Sequence, residues 1–268
     1  MGGSASVFSG SIPEFYDRLL GPALFEPYAD DLVERLPNDK SLRVLELACG
    51  TGIVTRRLRE ALHSSATLVA TDLNEPMVVY ACNAVPAAGI TWRQADAQAL
   101  PFEDESFDVV VCQFGFMFLP DKPAGFREAY RVLAPGGVLL ANIWHSLDAN
   151  PPAAVIDATV ARLFPADPPR FLETPYGYGD PERIARDMAA AGWKEVQLET
   201  LQLESLSASA EEFASGFAFG SPLTHELVER QADFDDVVRA LTAALVPVGG
   251  DRPFRARLSA TIVRGVRG

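Results

Sequence analysis

Residues 43–52 read Arg-Val-Leu-Glu-Leu-Ala-Cys-Gly-Thr-Gly, and no other stretch of the chain restricts the fold as tightly. The apolar run Val44–Leu47 is too short for a helix and reads as a buried strand. Small residues and two glycines, Gly50 and Gly52, follow it. Apolar positions at helical spacing then begin at Ile53 and continue through Val54, Leu58 and Leu62. Strand, glycine turn and helix together let a backbone approach a ligand closely, with helix N–H groups facing it.

The ligand class is narrowed by what surrounds the glycines. Their spacing is not that of the dinucleotide fingerprint, and no phosphate-binding lysine follows them. Glu46 stands in the strand itself, four positions before Gly50. A carboxylate there repels a pyrophosphate but can receive an ammonium group, directly or through water. The turn therefore suits a nucleoside ligand that carries an amine and no phosphates, and S-adenosylmethionine is such a ligand.

The first half of the chain repeats the alternation. Thr67–Asp72 reads as a second strand, Thr91–Asp96 as a third, Phe107–Cys112 as a fourth, and Gly137–Trp144 as a fifth after the turn Ala134–Gly137. Helical patterns at Glu75–Val85 and Lys122–Leu133 lie between them. Strands alternating with helices imply parallel pairing through crossovers, hence an α/β fold with a doubly wound sheet covered on both faces. Asp72 ends the second strand 20 residues after Gly52, where an acid accepts hydrogen bonds from ribose hydroxyls.

In order and spacing, Val44–Gly52, Ala70–Met77, Gln94–Leu100, Phe107–Gln113 and Arg131–Val138 resemble the motifs of class I S-adenosylmethionine-dependent methyltransferases. The strings Ala95–Phe102, Ser106-Phe107-Asp108 and Val132–Gly137 look most like the ubiquinone/menaquinone-biosynthesis type, a broad group acting on many small molecules. The match covers residues 40–145 and speaks for the cofactor, not the substrate. The resemblance implies S-adenosylmethionine as cofactor, S-adenosylhomocysteine as product, and a mostly parallel seven-stranded sheet with a terminal antiparallel strand and helical cap insertions. It places Glu46, Ala48, Gly50 and Gly52 in the cofactor turn and Asp72 on the ribose. It sets Leu73 and Met77 against the adenine, with Asp96 on the adenine amino group and the Ala97 N–H on the ring. Gln113 and Phe114 follow the fourth strand at the ligand-binding edge. An N-terminal aromatic is expected near the methionine end: Tyr16, with Phe25 and Tyr28 as alternatives. Plainer readings stand beside these. The glycines make an ordinary turn, Asp72 caps the helix near Glu75, Asp96 feeds the turn at Pro101, and Leu73, Met77 and two of Phe114, Phe116, Met117 and Phe118 pack the core.

The rest of the chain carries no motif. It reads as one domain, 1–268, with an N-terminal helical segment at 12–36, the cofactor core at 40–145, helical cap insertions at 146–185 and 209–247, and terminal strands at 193–205 and 254–267. The caps are expected over the sheet's carboxyl edge. Their Phe164, Phe171, Tyr176, Tyr178, Phe213, Phe217 and Phe219 suit a largely apolar acceptor pocket or simply the packing of the cap. His145 follows the fifth strand and is the candidate base or substrate ligand. Cys49, Cys82 and Cys112 show no metal spacing and read as free buried thiols. Net charge is −13, which disfavours nucleic acid and leaves a small-molecule acceptor as the expected partner. No apolar run has the length of a membrane span, and Met1–Ser11 lacks the basic region and apolar core of a leader. The expected compartment is the cytoplasm, and a homodimer is compatible with the sequence.

The mechanism this implies is in-line attack of a substrate oxygen, nitrogen or carbon on the sulfonium methyl. The protein supplies alignment and water exclusion, with a base needed only if the nucleophile must lose a proton and no metal implied. Three alternatives are weighed. An NAD(P) oxidoreductase conflicts with the missing third glycine and with Glu46. A catalytically silent binding protein of the same fold, and an RNA or protein methyltransferase, stay open.

Overall fold

The short apolar runs become seven strands of one sheet in the computed structural model, which describes residues 12–268; the Met1–Ser11 start lies outside the described residues. The strands are β1 (Arg43–Glu46), β2 (Thr67–Asp72), β3 (Ile90–Gln94), β4 (Phe107–Gln113), β5 (Leu133–Trp144), β6 (Glu195–Ser207) and β7 (Phe254–Val266). Their order is β3-β2-β1-β4-β5-β7-β6, parallel from β3 to β5, with β7 antiparallel to both β5 and β6. Val44, Leu45, Val109, Val110, Val111, Leu139 and Leu140 are sealed from solvent, as strands with both faces covered must be.

Before β1 the chain runs through α1 (Ile12–Phe15), a π-helical stretch (Tyr16–Phe25) and α2 (Glu26–Glu34). The expected helical segment is there, but its middle turns are wider than α-helix. Pro22 sits inside them and cannot donate an α-helical bond. The crossovers are α3 (Ile53–Ala61), α4 (Glu75–Ala84) and α5 (Lys122–Val132). After β5 come α6 (Pro151–Leu163), α7 (Pro181–Ala190), α8 (Ala210–Gly220), α9 (Leu223–Glu229) and α10 (Phe234–Gly249). Among the described residues no helix is long and apolar enough to cross a membrane.

Several boundaries differ from those expected. The third strand starts at Ile90 and stops at Gln94, so Asp96 lies in the loop beyond it. The fifth begins at Leu133 because the Ala134–Gly137 turn is absorbed as an irregularity in the pairing with β4. The last cap helix runs on to Gly249, past the expected boundary at 247, with Pro247 in its final turn. Within 146–185, α7 is no cap element. It packs against α5 and β6, burying Ile184 and Met188 beneath Trp193, whose indole N–H donates to the Phe126 carbonyl at 3.0 Å. Cys49 and Cys112 are buried as expected, but Cys82 is exposed because α4 turns Met77, Val78 and Ala81 inward instead.

The cap has a scaffold that the sequence hides. β5 ends at Trp144 opposite Ala260, yet β6 and β7 stay paired onward to Ser207 and Phe254. This two-stranded ribbon overshoots the sheet, and α6 and α10 pack on β7. Asn150, fully buried, ties the start of α6 to it, accepting from the Ser259 N–H at 2.8 Å and donating to the Ser259 carbonyl at 3.1 Å. α8 then lies along the N-terminal helix. A Cβ on Gly216 would stand 2.6 Å from Leu20 Cδ2, and one on Gly220 would stand 2.7 Å from the Tyr16 backbone nitrogen.

These two glycines should respond differently to alanine. At Gly220 the obstacle is backbone, which cannot step aside, so Gly220→Ala lowers stability by about 1–3 kcal/mol. At Gly216 only leucine side chains must move, and the gain in helix propensity of roughly 1 kcal/mol offsets the crowding. Urea midpoints of the two variants check the order.

Candidate active site

The strand order fixes where a ligand can lie. From β1 the chain winds outward through β2 to β3, and from β4 it winds the other way to β5, so the connections diverge and leave a crevice past the carboxyl ends of β1 and β4. The backbone there is strained. Ala48, Gly50 and Gly52 have φ of +53°, +54° and +86°, and Phe114, just past β4, has φ +51°. A left-handed non-glycine residue costs about 1–3 kcal/mol and persists only where its surroundings hold it. Here the Leu47 N–H donates to the Val111 carbonyl at 2.8 Å and the Phe114 N–H to the Asn142 carbonyl at 2.9 Å.

The two glycines of the turn have separate tasks. A Cβ on Gly50 would meet nothing within 4 Å, so that position faces open space. A Cβ on Gly52 would meet Val85 at 3.0 Å and Ala81 at 3.2 Å. Gly52 therefore lets the start of α3 pass α4 and lines none of the cavities described here, contrary to its expected place in the ligand set.

A cleft of about 530 Å³ opens over this turn. Tyr16, Ala48, Gly50, Asp72, Leu73, Met77, Asp96, Ala97, Gln113 and Phe114 all line it, so the sequence-derived candidates converge on one space. Asp72 is no helix cap; Asn74 holds that position at α4. Its Oδ2 accepts the Gly50 N–H at 2.9 Å and its Oδ1 the Asn74 N–H at 2.8 Å, which fastens the turn to β2. Burial pushes the Asp72 carboxyl up from its ordinary value, against the pull of those N–H groups. Asp96 accepts the Gln98 N–H at 2.8 Å. The loop carrying it is strapped to α5 by Arg131, which donates to the Leu100 and Phe102 carbonyls and pairs with Glu128 and Asp104.

Beneath the turn is a small acidic recess of about 30 Å³, lined by Glu46, Gly50, Thr51, Gln113 and Tyr16 among others. Glu46 is 2 % exposed and accepts from the Thr55 hydroxyl at 2.6 Å. Burial, reinforced by Asp72, pushes its carboxyl up to about 8. The Thr51 hydroxyl in the same recess is buried and has no partner among the described residues. A buried acid with an orphan hydroxyl beside it fits the amino-acid end of a ligand, and the uncrowded Gly50 fits its close approach. The donor set thus suits S-adenosylmethionine.

On the other side of Tyr16 a third, apolar pocket of about 60 Å³ is walled by Leu20, Leu24, Phe25, Phe114, Met117, Trp144, Phe171, Tyr176 and Phe217 among others. Phe114 and Trp144 stack at 3.8 Å and 5°, and Tyr16 stacks on Phe25 at 4.6 Å. Of the seven cap aromatics, Phe171, Tyr176 and Phe217 reach this pocket. Phe213 packs on Phe254, Phe219 on Phe234, and Tyr178 donates to Asp187 at 2.7 Å. Of the four residues after β4, Phe116 is core, stacked on Phe126. Tyr28 is sealed from solvent and lines none of these three cavities, whereas Phe25 lines two, so Tyr16 has Phe25 and not Tyr28 as its companion.

His145 does not join the site. It lines none of the three cavities; its Nδ1 lies 3.4 Å from Ser259 Oγ, its Nε2 is buried without a partner among the described residues, and burial lowers its pKa. Alternation along β5 explains this, since Trp144 takes the pocket side and the next residue points away. Trp144, Thr51 and Leu20 are site residues that sequence reasoning missed. The parity of β5 could have found Trp144.

Residues 45–141 match a family model described as a methyltransferase domain. The ubiquinone/menaquinone biosynthesis C-methyltransferase of Stenotrophomonas maltophilia is 41% identical over 99 residues, 35% of this chain and 39% of that protein. The chain thus spans well under half of that relative's length. The demethylmenaquinone methyltransferase of Thermus thermophilus is 34% identical over 168 residues, 56% of this chain and 74% of that protein. Among solved structures, the Haemonchus contortus phosphoethanolamine N-methyltransferase 2 in complex with S-adenosyl-L-methionine matches with TM-score 0.62 at 16% identity, over 99% of this chain and 60% of that one. At that identity the likeness speaks for the fold alone.

Glu46 makes a pH-dependent prediction for the protein by itself. Its folded pKa, about 8, stands above the ordinary 4.5, so folding favours the protonated form. Stability is intact below pH 4.5 and falls as pH rises toward 8, because the unfolded chain ionises first. Glu46→Gln is neutral throughout and still accepts from Thr55. It should match the parent near pH 4 and exceed it by a few kcal/mol (about 1.4 per pKa unit) above pH 8. Denaturant titrations across this range give the slope, and a constant difference would contradict the buried, protonated acid.

Proposed function

Because the chain belongs to the ubiquinone/menaquinone-biosynthesis type of class I S-adenosylmethionine-dependent methyltransferases, we propose that its 530 Å³ cleft holds S-adenosylmethionine and that its apolar pocket takes a small, partly hydrophobic methyl acceptor. One observation carries the reading. Tyr16 borders the polar cleft, the acidic recess and the apolar pocket at once, so nucleoside, amino-acid end and acceptor converge on a single side chain.

The bound cofactor supplies a methyl group on a positively charged, intrinsically electrophilic sulfur. The protein's part is binding, orientation and dryness. Asp72 takes the ribose hydroxyls, Leu73 and Met77 flank the base, and Asp96 with the Ala97 N–H reads its edge. Glu46, Gly50 and Thr51 receive the amino-acid end, and an ammonium there draws the Glu46 pKa back down. Tyr16, Phe114, Phe118 and Phe171 border both cleft and pocket and offer ring faces to a cation. No carboxylate or imidazole lines the apolar pocket, and burial holds its Tyr176 phenol well above its ordinary pKa. The acceptor must therefore bring a nucleophile that needs no base from these walls. The two sequence relatives are named for C-methylation in quinone biosynthesis and for demethylmenaquinone methylation, which supports carbon as the methylated atom here.

Calorimetry should detect S-adenosylhomocysteine binding and no comparable binding of NADH; the reverse pattern would overturn the assignment. Two charge-assisted bonds to ribose are worth roughly 1.5–3 kcal/mol each before water compensates. Asp72→Ala should weaken S-adenosylhomocysteine binding at least tenfold. Asp72→Asn, which keeps one carbonyl acceptor where alanine keeps none, should weaken it less. Gly50→Val, with its side chain in the ligand's space, should abolish binding in a folded protein.

A further inference from the structure

Tyr176 stands in the wall of the apolar pocket, 6 % exposed, with its ring 6.1 Å from Trp144 and inclined by 30°. Its hydroxyl makes no hydrogen bond to any described residue. Other hydroxyls nearby are committed. Tyr28 donates to the Leu201 carbonyl at 3.3 Å, and Ser221 donates to the Phe217 carbonyl at 2.7 Å while accepting from the Leu223 N–H at 3.3 Å. A phenol hydroxyl that no described residue engages, in the wall of a pocket that is otherwise almost wholly apolar, is a polar group available to a ligand. The Trp144 indole lies in the same wall and presents a donor only, whereas the phenol can donate and accept. Burial and the neighbouring Tyr28 raise the Tyr176 pKa, so the group stays protonated and acts as a donor, not a base.

We propose that Tyr176 orients the methyl acceptor: its hydroxyl donates to a carbonyl, hydroxyl or phenolate oxygen on a planar, otherwise apolar molecule seated against Trp144 and Phe114. The inference rests on the reading of this pocket as the acceptor site. Aromatic walls give such a molecule area but little direction, and an uncommitted hydroxyl among them supplies the direction. A site built to bond an oxygen rejects an isostere that lacks it, because the donor is then left unpaired. Tyr176 therefore sets which acceptors enter and how their rings are turned toward the cleft.

The probes are p-cresol and p-xylene, which differ by one hydroxyl in place of a methyl. Each is titrated by calorimetry or ligand-observed NMR into the full chain, with and without S-adenosylhomocysteine. The parent should bind p-cresol at least tenfold more tightly than p-xylene. In Tyr176→Phe the ratio should fall at least tenfold, through weaker cresol binding, while S-adenosylhomocysteine affinity stays within twofold. A cresol preference that survives in Tyr176→Phe, or is missing from the parent, overturns the proposal. Loss of S-adenosylhomocysteine binding together with the preference also overturns it, since Tyr176 would then be holding the fold. If the parent shows the preference but never binds S-adenosylhomocysteine, the cofactor assignment fails and the donor role of Tyr176 stands.

Discussion

The hydrogen bonds from the Gly50 and Asn74 N–H groups to the Asp72 carboxylate join the end of β1 to the end of β2, and the geometry of the site follows from that join. They hold a turn in which alternate residues are left-handed, a shape the backbone does not keep unaided. With the turn fixed, Gly50 faces the cleft, Gly52 lets α3 pass α4, and Glu46 is enclosed below. The carboxylate thereby has two duties. It stabilises the turn, and under the proposed function the same atoms would receive the ribose, so ligand binding would exchange hydrogen bonds and not create them from nothing.

The opposite wall is held by a different device. Gln113 at the end of β4 donates to the Phe25 carbonyl at 3.1 Å and accepts from Asn142 of β5 at 3.1 Å; Asn142 also donates to the Tyr28 carbonyl at 3.3 Å. These amides anchor the N-terminal helix to the sheet edge, and Gly216 and Gly220 of α8 close over its other side. The helix that carries Tyr16 is thus held from the sheet edge and from α8 although its winding is irregular. Gln113, expected from its position to touch a ligand, lines the cleft and also braces the helix that bears Tyr16. Its substitution would disturb both.

Much of this was legible in the sequence, and the divide has physical causes. β2 and β7 begin and end where the apolar runs do, because alternation and burial of a whole face leave little freedom of register. The cofactor-side residues converge because they sit in short turns at fixed distances from strand ends. What stayed hidden depends on elements far apart in sequence. The pocket wall joins Leu20, Tyr176 and Phe217 to Trp144, and no local pattern distinguishes the first three from core residues. The π-helical winding at Tyr16–Phe25, the overshoot of the β6–β7 ribbon and the exposure of Cys82 are all settled by tertiary packing. His145 failed for a nearer reason. Its place just after the fifth strand points to the cofactor edge, but strand parity gives the pocket to its neighbour Trp144.

Glu46 and Tyr176 show one principle used twice. Each is a polar group on a largely buried side chain: the first is bonded to Thr55 and has a raised pKa, the second makes no bond to a described residue. Left alone, both are liabilities to folding. Matched by a ligand, each liability becomes discrimination, since a molecule lacking the ammonium or the oxygen leaves the cost standing. The two groups lie in different cavities that share Tyr16 as a wall, one in the recess and one in the apolar pocket, so under the proposed function they would select cofactor and acceptor independently. The aromatic rings that separate them carry no charge to compete for either ligand. The selection is therefore made at the two ends, and the middle is left dry.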